Sequence, residues 1–521
     1  MTVLALTVGL LWVVYPRLGV PATSREPMLD SPAVAPVTAP QDERPNIVLI
    51  SSDDQRLDEM RFLPQVTELI GEQGLTFDEA ITPHPLCCPA RAELMTGQFA
   101  QNNGVRTNFP PQGGYESFDA AGHVGVYLSN AGYNTAFLGK HLNGYSKNAQ
   151  RDPGWTHFNA TSHGHADYVR FKQWNEDGIE DIKGHYTDYL AREAVDDVRT
   201  LSGYDAPFFL WVSHFAPHPA RRRDTCGQST CGKEPPRLSP RYQRMQQATG
   251  ELPQEAEIQE MTREVLSNPA FNEADVSDKQ NLVRRQGTVS RQDVREAIRG
   301  RAGALASLDD AVVDLVTELD RLGELDNTYL VFVTDNGFQL GEHRWFGKTL
   351  PYEENLRTPM LVRGPGIEAG TRSDAPATLV DLVPTFLDIA GAEERSNRPV
   401  DGTSLLPLWR GEDVGPLHPG GVLIQGGPQK SETGLTGWLY RGVRTERYTY
   451  ARFHDGFVEL YDRERDPHQV ESVAGDPAYA EVEAELARRT DLLSGCSGPL
   501  ECSPDLGPVP EPADESGGDR P

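Results

Sequence analysis

The chain has 521 residues, 38% hydrophobic and 24% charged, enough to bury a sizeable core and too apolar for wholesale disorder. Lys and Arg number 49 against 77 Asp and Glu, a net charge of −28 that argues against nucleic acid as a partner but allows a locally positive pocket for a small anion. The length fits about three domains, or one large α/β domain with a smaller appendage.

Val3 to Tyr15 (VLALTVGLLWVVY) is an apolar run of signal-peptide length, so residues 1–20 read as a signal peptide or a retained anchor. No later stretch approaches the ~20 uninterrupted apolar residues of a bilayer span. The expected location is secreted or extracytoplasmic, with no membrane span in the mature body. Residues 21–44, rich in Pro, Ala and charge, read as a disordered linker, and the Asp/Pro/Gly tail at 503–521 reads the same way.

The first strand is predicted at Asn46 to Ser52 (NIVLISS), a β-branched apolar run of the kind buried in a parallel sheet. Leu63 to Gly71 is helix-like, as is the segment that follows Cys87-Cys88-Pro89. Asn134 to Leu138 and Pro207 to Ser213 are strand-like. From about Arg221 to Arg301 the chain turns polar and reads as an insertion above the functional edge, helping to choose substrate. The cleanest helix is expected at Ala302 to Leu322, with Gly323 at its C-cap, and Thr328 to Val333 follows as a strand. This alternation predicts an α/β fold with a large, mostly parallel central sheet flanked by helices. Beyond Gly415 the pattern changes to that of a smaller antiparallel sheet with a helix at about Ala478 to Leu493. The expected units are residues 45–414 and 415–502.

Ligands of open parallel sheets collect at the carboxyl ends of the strands. The first strand runs into Asp53 and Asp54, and the strand at Thr328 runs into Asp335 and Asn336. Either pair alone has the composition of an ordinary turn or helix N-cap. Both pairs at strand ends point to a hard oxygen site for Ca²⁺ or Mg²⁺. Cys87, with Pro89 two residues on, falls at a helix N-terminus, and Arg91 one turn later can return a guanidinium to the same point. Two readings stand: a thiolate nucleophile, its pKa lowered by dipole and cation, or a buried structural pair of Cys87 and Cys88. Cys226/Cys231 and Cys496/Cys502 lie in Gly/Ser/Pro-rich loops suited to short disulfides, with free thiols the alternative. Asn159-Ala160-Thr161 fits a glycosylation acceptor, although such tripeptides are common by chance.

Cys87-Cys88-Pro89-Ala90-Arg91 matches the C-x-P-x-R signature of the type I, formylglycine-dependent sulfatases of the alkaline-phosphatase-like superfamily. The resemblance covers most of residues 45 to 495. NIVLISSDDQ resembles the family's opening strand, LMTGQF the stretch after the signature, FLGKHLNGY the lysine loop, and Ala216 to His218 the histidine loop. TDNGFQLGEHRWFGK resembles the second metal motif. The resemblance implies that Cys87 is oxidised by a formylglycine-generating enzyme and that its hydrated aldehyde is the nucleophile. Asp53, Asp54, Asp335 and Asn336 would hold one Ca²⁺ together with the group at position 87, and Arg91 would stabilise the hydrate. Lys140, His218 and Lys348 match residues that bind sulfate and serve proton transfer, and His343 is a further candidate for substrate contact. Taken alone, Lys140 and Lys348 would read as surface lysines and His218 as a loop-shaping residue.

Two departures from the family pattern are Ala90, where Ser is more frequent, and Leu142, which stands where many sulfatases have a His. His141 directly follows Lys140 instead. This loop, and PAFNEADVSDK at 269–279, resemble the branch that acts on N-acetylglucosamine 6-sulfates and sulfated glycans. The expected function is hydrolysis of sulfate monoesters, with sulfated carbohydrate favoured over an aryl sulfate ester. The alternatives are a broad arylsulfatase, a phosphomonoester or phosphonate hydrolase of the same superfamily, and a non-catalytic sulfated-glycan-binding relative.

Overall fold

A computed structural model describes residues 33–37, 43–145, 151–161, 168–175, 178–221, 233–393, 399–427 and 437–513. Ten strands form one sheet: β1 (Asn46–Ser52), β2 (Leu75–Phe77), β3 (Asn134–Gly139), β4 (His157–Thr161), β5 (Arg170–Asn175), β6 (Gly178–Lys183), β7 (Phe208–Ser213), β8 (Thr328–Thr334), β9 (Met360–Arg363) and β10 (Thr371–Ser373). Their order is β10-β2-β9-β8-β1-β7-β3-β4-β5-β6. The centre, β8-β1-β7-β3-β4, is parallel throughout. Each central strand is covered on both faces, which explains the unbroken apolar runs in the sequence. Along β1, Val48 and Ile50 join one core layer while Ile47 and Leu49 join the other.

Helices α1 (Cys87–Thr96), α2 (Tyr186–Leu201), α3 (Glu255–Ser267), α4 (Arg291–Leu322) and α5 (Leu382–Ala390) flank the sheet. α2 and α4 supply the first layer, through Leu190, Val198, Leu305, Leu308 and Val312 among others. α1 and α5 supply the second, through Leu94, Leu382 and Phe386. The expected helix at Ala302 is the second half of α4, which begins at Arg291 under a Ser290 cap whose Oγ accepts from the Gln292 N–H at 3.2 Å. Its first turns look polar in sequence, yet Val294, Ala297, Ile298 and Arg301 form a buried stripe on the same face. The helix-like segment at Leu63 resolves into a short α-turn at Pro64–Val66 followed by a π-turn at Thr67–Gly71.

The smaller unit is an antiparallel sheet of β11 (Val422–Gly426), β12 (Tyr440–Arg444), β13 (Tyr448–Phe453) and β14 (Val458–Asp462), packed against α6 (Ala480–Leu493). The described part of the expected disordered tail, 503–513, is irregular but tied down. Arg489 donates to the Gly507 carbonyl at 2.7 Å, and the Ala513 N–H donates to the Ala478 carbonyl at 2.8 Å. Part of the expected linker is likewise docked, the Val37 N–H donating to Asn134 Oδ1 at 2.8 Å. Cys496 and Cys502 form a disulfide. The Cys226/Cys231 pairing lies outside the described residues. Asn159 of the glycosylation tripeptide sits on β4, its amide donating to Tyr189 Oη at 3.1 Å and Glu193 Oε2 at 3.2 Å.

One buried carboxylate ties the two units. Asp401 accepts from the Phe99 N–H at 2.7 Å, from Asn102 Nδ2 at 2.8 Å and from the Gly498 N–H at 2.8 Å. Replacing it by Ala strands three donors, two of them buried, and we expect a loss of about 3 kcal/mol. The check is a lower urea midpoint at unchanged m-value.

Candidate active site

The site forms where β1, β7, β3 and β8 end at their carboxyl edge. β1 delivers Asp53 and Asp54, β8 delivers Asp335 and Asn336, and the turn after β3 delivers Lys140. The loop after β7 delivers His218, and α1 presents Cys87 at its first turn with Arg91 one turn on. Lys348 comes from the segment beyond β8. Asp54 and Lys348 are 294 positions apart in the chain, and the parallel register helps to bring such distant residues together.

Arg91 is the hub. Its Nε donates to Asp335 Oδ2 at 2.9 Å, one Nη donates to the Lys140 carbonyl at 3.0 Å and to Ser213 Oγ at 2.5 Å, and the other lies 3.3 Å from Asp53 Oδ2. Lys140 Nζ pairs with Asp53 and Lys348 Nζ pairs with Asp54. Lys348 Nζ is also 2.7 Å from Cys87 Sγ, which lies 3.7 Å from Asp53 Oδ1. Asn336 Nδ2 donates to Asp54 Oδ1 at 2.7 Å, and the Asp54 N–H donates to Asp335 Oδ1 at 3.0 Å. His218 Nε2 is 3.6 Å from Asp54 Oδ2, and its Nδ1 lies 2.8 Å from the Pro219 carbonyl. Because a carbonyl only accepts, Nδ1 carries the proton and the neutral ring faces the site with its Nε2 lone pair.

These carboxylates are fully enclosed, so desolvation alone would neutralise them. For Asp53, burial pushes the pKa up, but Lys140, then His218 and Arg91, pull it well below the ordinary carboxylate range. For Asp54, burial is likewise outweighed, chiefly by Lys348. Asp335 is raised, by burial and then by the charge on Asp53, with Arg91 opposing. Burial would lower the Lys348 ammonium, but Asp54 holds it well above the ordinary lysine value. Burial also pushes the Cys87 thiol up to about 11, against Lys140 and Lys348. That corrects the simplest sequence reading, a thiolate activated by dipole and cation: desolvation outweighs both, and the unmodified sulfur is a poor nucleophile.

Asp53, Asp54, Cys87 and His218 bring ligand atoms within 4.8 Å of one another. Asp335 lies outside that group, its two oxygens turned to the Asp54 N–H and to Arg91. Asn336 Oδ1 is buried without a hydrogen-bond partner among the described residues. Two low-pKa carboxylates and one unpartnered amide oxygen form a hard donor set that fits Ca²⁺.

Cys88 points away into the second core layer, its Sγ accepting from the Asn143 N–H at 3.1 Å. His141 also turns from the site. Its ring is boxed by Tyr115, Phe137, Tyr145 and Phe158, with Nε2 at 2.9 Å from Asp152. His343 is enclosed, bonded through Nδ1 to Glu273 Oε2 at 2.7 Å and stacked on Tyr352.

Sequence reasoning missed Ser213 and Arg301. Arg301 donates to the Asp54 carbonyl at 2.5 Å and to both oxygens of buried Glu59, at 2.5 and 2.6 Å. It thereby holds Asp54 in a left-handed conformation, φ 65°, that aspartate adopts at a cost. The signal was available: an arginine in register with the buried stripe of α4.

The sulfatase family model matches residues 45–392, and that of the N-sulphoglucosamine sulphohydrolase C-terminal region matches 341–494. An arylsulfatase of Volvox carteri is 34% identical over 389 residues, 70% of this chain and 58% of that protein. The chain thus spans little more than half of that relative's length. Human N-acetylglucosamine-6-sulfatase is 30% identical over 506 residues, covering 88% of this chain and 85% of that protein. A solved structure described as in complex with its substrate D-glucosamine-2-N,6-O-disulfate superposes with a TM-score of 0.67 at 24% identity, over 86% of this chain and 97% of that one. The chain belongs to the sulfatase family.

Removing the Arg301 charge leaves Glu59 buried and unpaired. Arg301→Met is expected to cost about 3–5 kcal/mol, and adding Glu59→Leu to recover most of it. Thermal denaturation of the two variants beside wild type checks the sign of the coupling.

Proposed function

We propose that this protein hydrolyses sulfate monoesters of sugars, N-acetylglucosamine 6-sulfates foremost, using formylglycine made from Cys87 and one Ca²⁺. One observation carries the reading: Cys87 sits at a helix N-terminus inside a ring of Arg91, Lys140, Lys348 and His218, with carboxylates of two strand ends beside it. The coverage of the human 6-sulfatase along nearly its whole length supports the sugar class.

In this reading Asp53, Asp54, Asp335 and Asn336 hold the metal, and Arg91 orients the group at position 87. Formylglycine supplies a hydrated aldehyde as nucleophile and Ca²⁺ a Lewis acid beside it. A sulfate ester is anionic and repels an ordinary nucleophile, so the site has to gather cations. Lys140 and Lys348 serve that need, turning from their carboxylates to the sulfate oxygens as substrate enters. Arg91 keeps its bonds to Asp335, Ser213 and the Lys140 carbonyl and holds the geometry fixed. The leaving sugar oxygen takes a proton from His218 Nε2 or Lys348 Nζ. For His218, burial depresses the pKa to about 4, against Asp54 and Asp53, so at neutral pH the free ring is unprotonated. Bound sulfate, adding negative charge at Nε2, raises it towards the range an acid catalyst needs.

Residues 45–414 would then form the catalytic domain and 415–502 its C-terminal subdomain. The apolar N-terminal run together with the Cys496–Cys502 disulfide supports export to an oxidising compartment. No helix among the described residues is long and apolar enough to cross a membrane.

The deciding experiment is fragmentation mass spectrometry of the tryptic peptide Phe62 to Arg91 from protein made in its native host. Aldehyde or hydrate is expected at Cys87 and an unmodified thiol at Cys88. Two intact thiols would sink the mechanism. Metal removal gives a second check. Stripping Ca²⁺ with chelator should lower the melting temperature, and restoring it to a hundredfold above its dissociation constant should return about 2.7 kcal/mol. Asp54→Asn should blunt that response, and a response to Ca²⁺ unchanged by Asp54→Asn would count against the ligand assignment.

A further inference from the structure

Beside the cysteine loop lies a second concentration of positive charge, which the mechanism does not use. The Arg106 guanidinium carbon lies over the Trp438 ring at 5.0 Å, and that of Arg441 lies over it at 4.2 Å. All three side chains are half-buried, so they line the surface rather than the core. Among the described residues neither guanidinium forms an ion pair with a carboxylate. Arg441 donates to the Ser494 carbonyl at 3.1 Å, while its Nε is buried without a hydrogen-bond partner among the described residues. Its pKa is lowered to about 10 by burial and then by Arg106, a like charge. In a chain with 28 more acidic than basic residues, two arginines held together with no carboxylate paired to either among the described residues are poorly compensated. An indole shared between them offsets part of the repulsion through cation–π attraction. An anion would offset more.

The cluster is fastened to the catalytic loop. Asn108 Oδ1 accepts from the Cys88 N–H at 2.9 Å, and Arg106 stands two residues away, at most ~7 Å along the chain. The Arg106 carbonyl is 3.1 Å from Nε2 of His84, three residues before Cys87, and the His84 ring lies 6.1 Å from that of Trp438. Arg106 comes from the large unit, whereas Arg441 lies on β12, an inner strand of the small sheet, and Trp438 just precedes that strand. The seam between the units therefore ties the paired guanidiniums, through His84 and Asn108, to the loop that carries Cys87 and Cys88.

We propose that Arg106 and Arg441, organised by Trp438, form a subsite for a second anionic substituent of the sugar, a sulfate or carboxylate distinct from the ester that is cleaved. This rests on the sugar-sulfatase reading. It goes further in assigning a preference for substrates that carry two negative groups.

The test uses mature protein from the native host and three probes: glucosamine 6-sulfate, the same sugar with a second sulfate on its nitrogen, and a disaccharide of glucosamine 6-sulfate with a neighbouring uronic acid. Wild type should favour one of the two doubly anionic probes over the first by about tenfold in kcat/KM at low salt, and which one identifies the anion. Arg106→Gln and Arg441→Gln should collapse that ratio towards one through KM, Arg106→Lys should keep part of it, and added salt should shrink it in wild type. A parallel calorimetric titration of Cys87→Ala protein reads binding without turnover. Discrimination there that Arg106→Gln abolishes supports the subsite even if no probe is hydrolysed, an outcome that would count against the hydrolase reading instead. Equal affinity for singly and doubly anionic probes in wild type, or a preference untouched by both glutamine variants, overturns the proposal.

Discussion

Three carboxylates sealed at the ends of two adjacent strands are the constraint on which the rest of the structure turns. Asp53, Asp54 and Asp335 are buried, and isolated ions in such a place cost several kcal/mol each. Arg91, Lys140 and Lys348 make the arrangement tolerable, and each arrives from a different segment, Arg91 from α1 and the two lysines from loops. The parallel order β8-β1-β7-β3 brings those loops to one edge, and the carbonyl of Lys140 and the hydroxyl of Ser213 fix the guanidinium that bridges them. Fold and site are thus one electrostatic problem with one solution. Chemistry follows from the same balance: cations that neutralise carboxylates in the free protein are the cations available to an anionic ligand.

Much of this was legible in the sequence because the relevant signals are local. Apolar runs that end in Asp-Asp and Asp-Asn mark strands and their carboxyl ends, and C-x-P-x-R marks a helix start with a basic residue one turn on. What was not legible depends on partners far along the chain. The first turns of α4 look like a polar insertion until α3 and the Pro235–Leu238 segment cover them, with Gly300 and Gly303 allowing close approach. The packed tail at 503–513 has the composition of a linker and is held by Arg489 and Ala478, which nothing in its own residues announces. His141 and His343 were read by their neighbours in sequence, whereas the structure seats one in an aromatic box and the other on Tyr352.

The small sheet is more than a lid on the hydrophobic surface of the large unit. Asp401 binds backbone groups of both units, and β12 carries Arg441 to the seam beside the cysteine loop. An element that completes the surface around a reaction centre is free to vary in its loops while the centre stays constant. Such a division lets one chemistry be aimed at many substrates.

The enclosure of Cys87, only 2% exposed at the start of a helix buried along its whole length, bears on the order of events in the cell. Any enzyme that oxidises this side chain needs the surrounding segment extended in its own cleft, and the finished fold offers no such segment. On the proposed formylglycine reading, modification and folding would compete for the newly made chain. A molecule that folded first would close its core around an unmodified thiol and keep it. The yield of active protein would then be set by a race during synthesis and not by the stability of the product, so that abundance and activity would be separate quantities wherever the chain is made faster than it is processed.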